Sequence, residues 1–166
     1  MGMIKVGIYI DGENVKRSGG YGLRYDVLKK FGSLGIGEIL RANSYNAEDK
    51  ERAKTDIEYA ENLKSYYSAV RRNGFKLVKK IVKHYRQEDG SIHTKANADM
   101  DLAIDALVQA RNLDRIILLT GDGDFVRLVI ALQDMGCKVD VIGFNDVSTD
   151  LREAVDHYYN GFLIPG

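Results

Sequence analysis

The chain has 166 residues, 24 basic and 24 acidic side chains, and no net formal charge at neutral pH. With 45% hydrophobic and 29% charged residues, it has an ordinary globular composition and length enough for one domain, residues 1–166. The balance excludes a protein that coats DNA by bulk charge, and no apolar run is long enough to span a bilayer. The start of the chain runs straight into a strand pattern without a signal-peptide layout, which sets the expectation of a cytoplasmic protein. The lone Cys137 excludes an internal disulfide framework and reads as a packing residue.

Residues 4–10 are rich in Ile and Val and read as a buried strand that breaks at Asp11-Gly12-Glu13-Asn14. Tyr25 to Phe31 has helical spacing and stops near Gly32 and Gly35. Glu38 to Tyr45 reads as a second strand, followed by a polar segment to Lys54. Thr55 or Asp56 caps a long helix that ends near Asn73 and Gly74. Phe75 to Tyr85 reads as a third strand, with a turn at Glu88-Asp89-Gly90-Ser91 and a return strand over 92–95.

Ala98 to Arg111 reads as a helix with Met100, Ala103, Leu107 and Ala110 on its core face and Asp101 and Asp105 towards solvent. Arg115 to Leu119 is the fourth strand and breaks at Thr120-Gly121-Asp122-Gly123-Asp124-Phe125. Asp124 to Met135 is a helix with Phe125, Leu128, Val129 and Leu132 inward. Lys138 to Phe144 is a fifth strand, Thr149 to Tyr158 a short helix, and Phe162 to Ile164 a last strand. The alternation predicts an α/β fold, a three-layer α/β/α sandwich with a mostly parallel sheet.

Two buried strands thus end on aspartates at glycine-marked turns. Ligands of open α/β sheets sit at the carboxyl ends of the strands. If the two ends are neighbours, Asp11, Asp122 and Asp124 surround one point. Asp99, in the first turn of its helix and at the margin of the buried face, is the acid able to join them. Clustered carboxylates repel unless a cation neutralises them, and hard oxygen donors suit Mg²⁺ or Mn²⁺. Taken singly, each acid also has a structural reading: Asp124 as a helix cap, Asp122 as a turn stabiliser, Asp99 as a first-turn acid.

Asn14 fits a turn or a contact to a ligand carboxylate or phosphate. Thr120 offers a hydroxyl at a strand end, and Lys95 a phosphate anchor. His84, His93 and His157 have no metal-ligand spacing. The stretch Arg71, Arg72, Lys76, Lys79, Lys80, Lys83, His84 and Arg86 reads either as a solvated, lysine-protected edge or as a face for a nucleic-acid backbone.

Ile8-Tyr9-Ile10-Asp11-Gly12-Glu13-Asn14, Lys95 with Asp99 and the apolar residues 102–107, and Leu119-Thr120-Gly121-Asp122-Gly123-Asp124-Phe125 together resemble the NYN domain. This is the PIN-like nuclease family that includes LabA-like bacterial proteins. The resemblance covers residues 4 to 164. It implies a PIN-like fold, Mg²⁺ or Mn²⁺, and ribonuclease activity on RNA; the basic stretch over 71–86, tracking the backbone, sets the expectation of a single strand. Asp11, Asp99, Asp122 and Asp124 take the acidic metal-site positions, and Asn14 matches the asparagine of the first motif. Thr120 stands where a serine is common.

Two other functions compete. One is a non-catalytic RNA- or nucleotide-binding regulatory module. The other is a phosphatase of the haloacid-dehalogenase type, whose motif needs an aspartate and a threonine where Glu13 and Val15 stand. The apolar tail Phe162-Leu163-Ile164 suits closure of its own sheet or a homo-oligomer.

Overall fold

The structure is a computed structural model that describes residues 2–95 and 98–163, without the side chains of residues 93–95. Its centre is a six-stranded sheet. The strands are β1 (Ile4–Asp11), β2 (Gly37–Glu48), β3 (Lys76–Ile81), β6 (Arg115–Leu119), β7 (Lys138–Gly143) and β8 (His157–Asn160), in the spatial order β3-β2-β1-β6-β7-β8. Each neighbouring pair is parallel. A two-stranded antiparallel hairpin, β4 (Lys83–Arg86) with β5 (Ile92–Lys95), stands apart from it.

The helices are α1 (Gly12–Arg17), α2 (Tyr25–Gly32), α3 (Lys50–Thr55), α4 (Ile57–Arg72), α5 (Asp99–Gln109), α6 (Val126–Asp134) and α7 (Thr149–Ala154). They follow from local signals. Asp56 caps α4 by accepting the Tyr59 N–H, and Ser148 caps α7 by accepting the Leu151 N–H.

Side chains alternate along the strands, so each strand feeds two cores. In β6, Ile116 and Leu118 join one core while Ile117 and Leu119 join the other. The first core packs under α5, α6 and α7 through Leu102, Leu128 and Leu151. The second packs under α1, α2 and α4 through Val15, Leu28 and Val70. Because parallel crossovers are right-handed, the helices change faces where the sheet changes direction. The chain builds outward from β1 to β3, then returns to β6 and builds outward the other way. The turning point lies between β1 and β6.

Several expected elements take a different form. The third strand is broken at Val82, so residues 83–86 leave the sheet for the hairpin. Residues 157–160 form β8 rather than the end of a helix, because the free edge of β7 pairs with them from Asp140–His157 to Gly143–Asn160. Residues 161–163 form a 3-10 turn, not a strand, and Ile164 lies outside the described residues. Along α5 and the 3-10 turn that follows it (Ala110–Asn112) the buried stripe is Leu102, Ala106 and Ala110, whereas Met100 is 70% and Leu107 37% exposed. That rotation also turns Asp105 inward, where it accepts a hydrogen bond from the Tyr45 hydroxyl at 2.8 Å.

Candidate metal centre

The site forms at the carboxyl ends of β1 and β6, on either side of the sheet's turning point. Asp11 ends β1 and is buried. One carboxylate oxygen accepts the Asn14 N–H that opens α1, at 3.4 Å. The other accepts the Thr120 hydroxyl at 2.9 Å. Thr120 Oγ1 in turn accepts the Asp122 N–H at 3.1 Å, and Asp122 Oδ1 accepts the Asp124 N–H at 2.9 Å. Asn14 Oδ1 accepts the Gly121 N–H at 2.8 Å, which ties the first turn to the second. These bonds lock two loops separated by more than a hundred residues into one rigid rim.

The turn after β1 also needs its glycine. A Cβ on Gly12 would collide with the Asn46 side-chain oxygen and stand 2.6 Å from the Tyr45 carbonyl oxygen. Any larger residue forces the turn and the end of β2 it faces to give way.

Asp99 is the first residue of α5, placed by the helix start. Its carboxylate meets those of Asp11 and Asp122: one oxygen from each lies within 4.8 Å of the others. A carboxylate at a helix N-terminus is favoured by the aligned backbone N–H groups. α5 is held against the strands by two phenols. Tyr45, the register partner of Asp11, donates to Asp105, and Tyr9 donates to Gln109 at 2.5 Å. Asp105 and Gln109 are one helical turn apart, so these bonds fix the axis of the helix that carries Asp99.

Asp124 is exposed and lies on the rim of the same cleft, outside the close trio. Beside Tyr45 and Ala98, two further charged residues line the cleft that were not among the expected site residues, Glu13 and Arg17. Glu13 accepts the Ala47 N–H at 3.2 Å, and Arg17 Nε donates to the Glu13 carbonyl oxygen. Their signal was present: Arg17 follows Glu13 by four residues, the spacing that stacks side chains on a helix directly after Asp11.

Thr120 is buried, and its hydroxyl is engaged with Asp11 and Asp122. Asn14 uses its side-chain oxygen on Gly121 while also lining a polar pocket beside Asp122. Lys95 ends β5, but its side chain lies outside the described residues. The basic stretch runs from the last turn of α4, with Arg71 and Arg72, over the edge strand β3 to the hairpin. There Lys79 lies 3.7 Å from Glu48, Lys80 3.6 Å from Asp101 and His84 3.1 Å from Asp49.

Burial pushes the Asp11 carboxyl above its usual range, and Asp122 adds to this. The Thr120 hydroxyl, the Asn14 N–H and Arg17 pull the other way without reversing it. A buried carboxylate beside two others is the donor set a hard divalent cation requires, so the residues fit such an ion. No described helix is long and apolar enough to cross a membrane.

Comparison with known proteins agrees with this fold. The low amplitude and bright protein LabA of Synechococcus elongatus is 24% identical over 161 residues, covering 93% of this chain and 82% of that protein. A crystal structure of a protein of unknown function from Vibrio parahaemolyticus superposes with a TM-score of 0.73 at 25% identity, covering 95% of this chain and 92% of the other. Residues 5–162 match the NYN domain. The chain therefore belongs to the NYN domain family, within the PIN-like nuclease superfamily, and its acidic cluster fits a metal site.

Proposed function

We propose that this protein is a divalent-metal-dependent ribonuclease, working through Mg²⁺ or Mn²⁺ held by Asp11, Asp99 and Asp122. The observation that carries the reading is the meeting of three carboxylate oxygens within 4.8 Å, drawn from three separate segments. A divalent cation supplies polarisation of a phosphodiester and a lowered pKa for a bound water. Asp124, on the rim, completes the acidic set at the side open to solvent. Thr120 orients the Asp11 carboxylate rather than touching substrate. Arg17 faces the cleft with the positive charge that a phosphate seeks, and Asn14 and Lys95 take flanking contacts to the substrate backbone. Exposed Lys76, Lys83 and Arg86 extend that contact along a single strand. We place the activity in the cytoplasm, where RNA is available and a free thiol such as Cys137 stays reduced.

The test is cleavage of end-labelled single-stranded RNA with and without Mn²⁺, in the wild type and in Asp99→Asn. Shortened products that need the metal and vanish in the variant are the expected result. Equal activity in both proteins removes Asp99 from the mechanism. Binding of RNA at saturation with every molecule left full length points instead to a binding module.

A further inference from the structure

Helix α5 is apolar on two sides. Leu102, Ala106 and Ala110 face the sheet and are buried. Met100, Ile104, Leu107 and Val108 face outward and are 70%, 51%, 37% and 55% exposed. A helix lying on a protein surface ordinarily turns polar residues outward, and one that is apolar on both sides has a second packing partner. The outward stripe borders a groove whose other side is lined by Leu128 and Ala131 of α6.

The charges at the ends of the stripe identify the partner. Asp101, Ile104, Val108 and Arg111 follow one another at helical intervals, Arg111 lying in the 3-10 turn (Ala110–Asn112) that continues α5, so an acid opens the stripe and a base closes it. At about 1.5 Å per residue the two charges stand roughly 15 Å apart. Asp101 keeps 38% of its side chain exposed although it lies 3.6 Å from Lys80. Arg111 is exposed, with Nε bonded to the Val108 carbonyl oxygen. Such a stripe is complementary to itself when reversed. Two copies related by a two-fold axis, with α5 antiparallel to α5, set Ile104 and Val108 against each other at the centre. The same arrangement sets Arg111 of each copy against Asp101 of the other.

We propose that a second copy of this chain packs on the outer face of α5 in this antiparallel arrangement. The groove beside the stripe also reaches Asp99 and Asp124, but the inference rests on the outer face of α5 and is read by mass, not by metal chemistry. Light scattering coupled to size-exclusion chromatography, read across a dilution series, tests it. The wild type is expected at twice the 18.6 kDa of one chain. Ile104→Glu is expected at the mass of one chain, with unchanged circular dichroism. Val108→Lys, at a neighbouring exposed position, provides the same reading should Ile104→Glu fail to fold. Asp101→Arg or Arg111→Glu alone is expected to weaken the dimer about tenfold or more by placing like charges together, and the two combined to restore it. A wild type with the mass of one chain at every concentration overturns the proposal. So does a dimer that survives both Ile104→Glu and Val108→Lys, which would point to another face, such as that around the exposed Leu163. Weakening by each single charge reversal without restoration in the pair overturns the antiparallel arrangement.

Discussion

At the centre of the sheet Asp11, Asp99 and Asp122 bring like charges to one point, while at its edge Lys79 and Lys80 are each set against an acid. The two regions solve different problems. Paired charges on a surface contribute little stability and little net field, since each already has its counter-ion. Like charges held together by buried hydrogen bonds cost free energy in the empty site and gain it when a cation enters. The abundant basic residues of the edge therefore say less about function than the few acids of the centre. Where basic residues do track a nucleic-acid backbone, the exposed Lys83 and Arg86 of the hairpin carry more of the contact than the paired lysines.

Substitutions sharpen this contrast. Asp11→Asn is expected to lower metal-dependent RNA cleavage more than about 100-fold, beyond the 10–100-fold typical of groups that only orient a ligand. Thr120→Val, which removes the hydroxyl bonded to Asp11, belongs in that lower range: Mn²⁺ affinity by calorimetry falls about 10–100-fold, and Thr120→Ser recovers most of it. An unchanged affinity in Thr120→Val would show that the Asp11 carboxylate is positioned without it.

Gly12→Ala probes the backbone under the same site. The added methyl has no room against Asn46 and Tyr45, and overpacking of this kind destabilises by about 1–3 kcal/mol, read as a lower midpoint in a urea melt. At the edge the effects are smaller. Lys80→Ala should cost less than about 1 kcal/mol, since the pair with Asp101 is exposed. In RNA binding, Lys83→Ala should reduce the slope of log K against log salt by about 0.7, the value for one single-strand phosphate contact, and Lys80→Ala by less. An equal loss in Lys80→Ala would break the distinction between a lysine set against an acid and Lys83.

The smallest effect concerns acid stability far from the cleft. Asp156 accepts the Val139 N–H at 2.8 Å and pins the start of β7, a bond that holds its carboxyl below the usual range, with Gln133 and Lys138 assisting. Its folded pKa is depressed, so the unfolded chain binds the proton more readily and stability rises with pH. That contribution is complete above the unfolded value, about 3.9, and is lost as pH falls through the folded value. Asp156→Asn is expected to flatten the dependence of the melting temperature on pH below about 4.

Much of the site was legible because its residues sit at chemically conspicuous places. Asp11 and Asp122 each interrupt a run of aliphatic residues at a glycine turn, and Asp99 opens a helix. Thr120 was visible as a hydroxyl at a strand end, but its attachment to Asp11 depends on a contact across 109 positions that no local pattern contains. The same limit explains α5. Met100 and Leu107 have the helical spacing of a core face as fully as Leu102 and Ala106 do, so periodicity alone does not choose between the two stripes. Residues 157–160 carry two tyrosines that suit either a helix end or a strand, and the open edge of β7 decides for the strand.

From local chemistry alone came the alternation of strands and helices, the caps at Asp56 and Ser148, and the aspartates at the strand ends. These depend on steric preferences and hydrogen bonds that reach only a few residues. Tertiary structure decided that β1 lies beside β6, that three acids from distant segments share one cleft, and which flank of α5 is buried. Such outcomes require the apolar faces of all the elements to be satisfied together. That is a property of the packed whole, in which the sheet's reversal between β1 and β6 leaves the only gap where strand-end carboxylates from both halves can meet among the described residues.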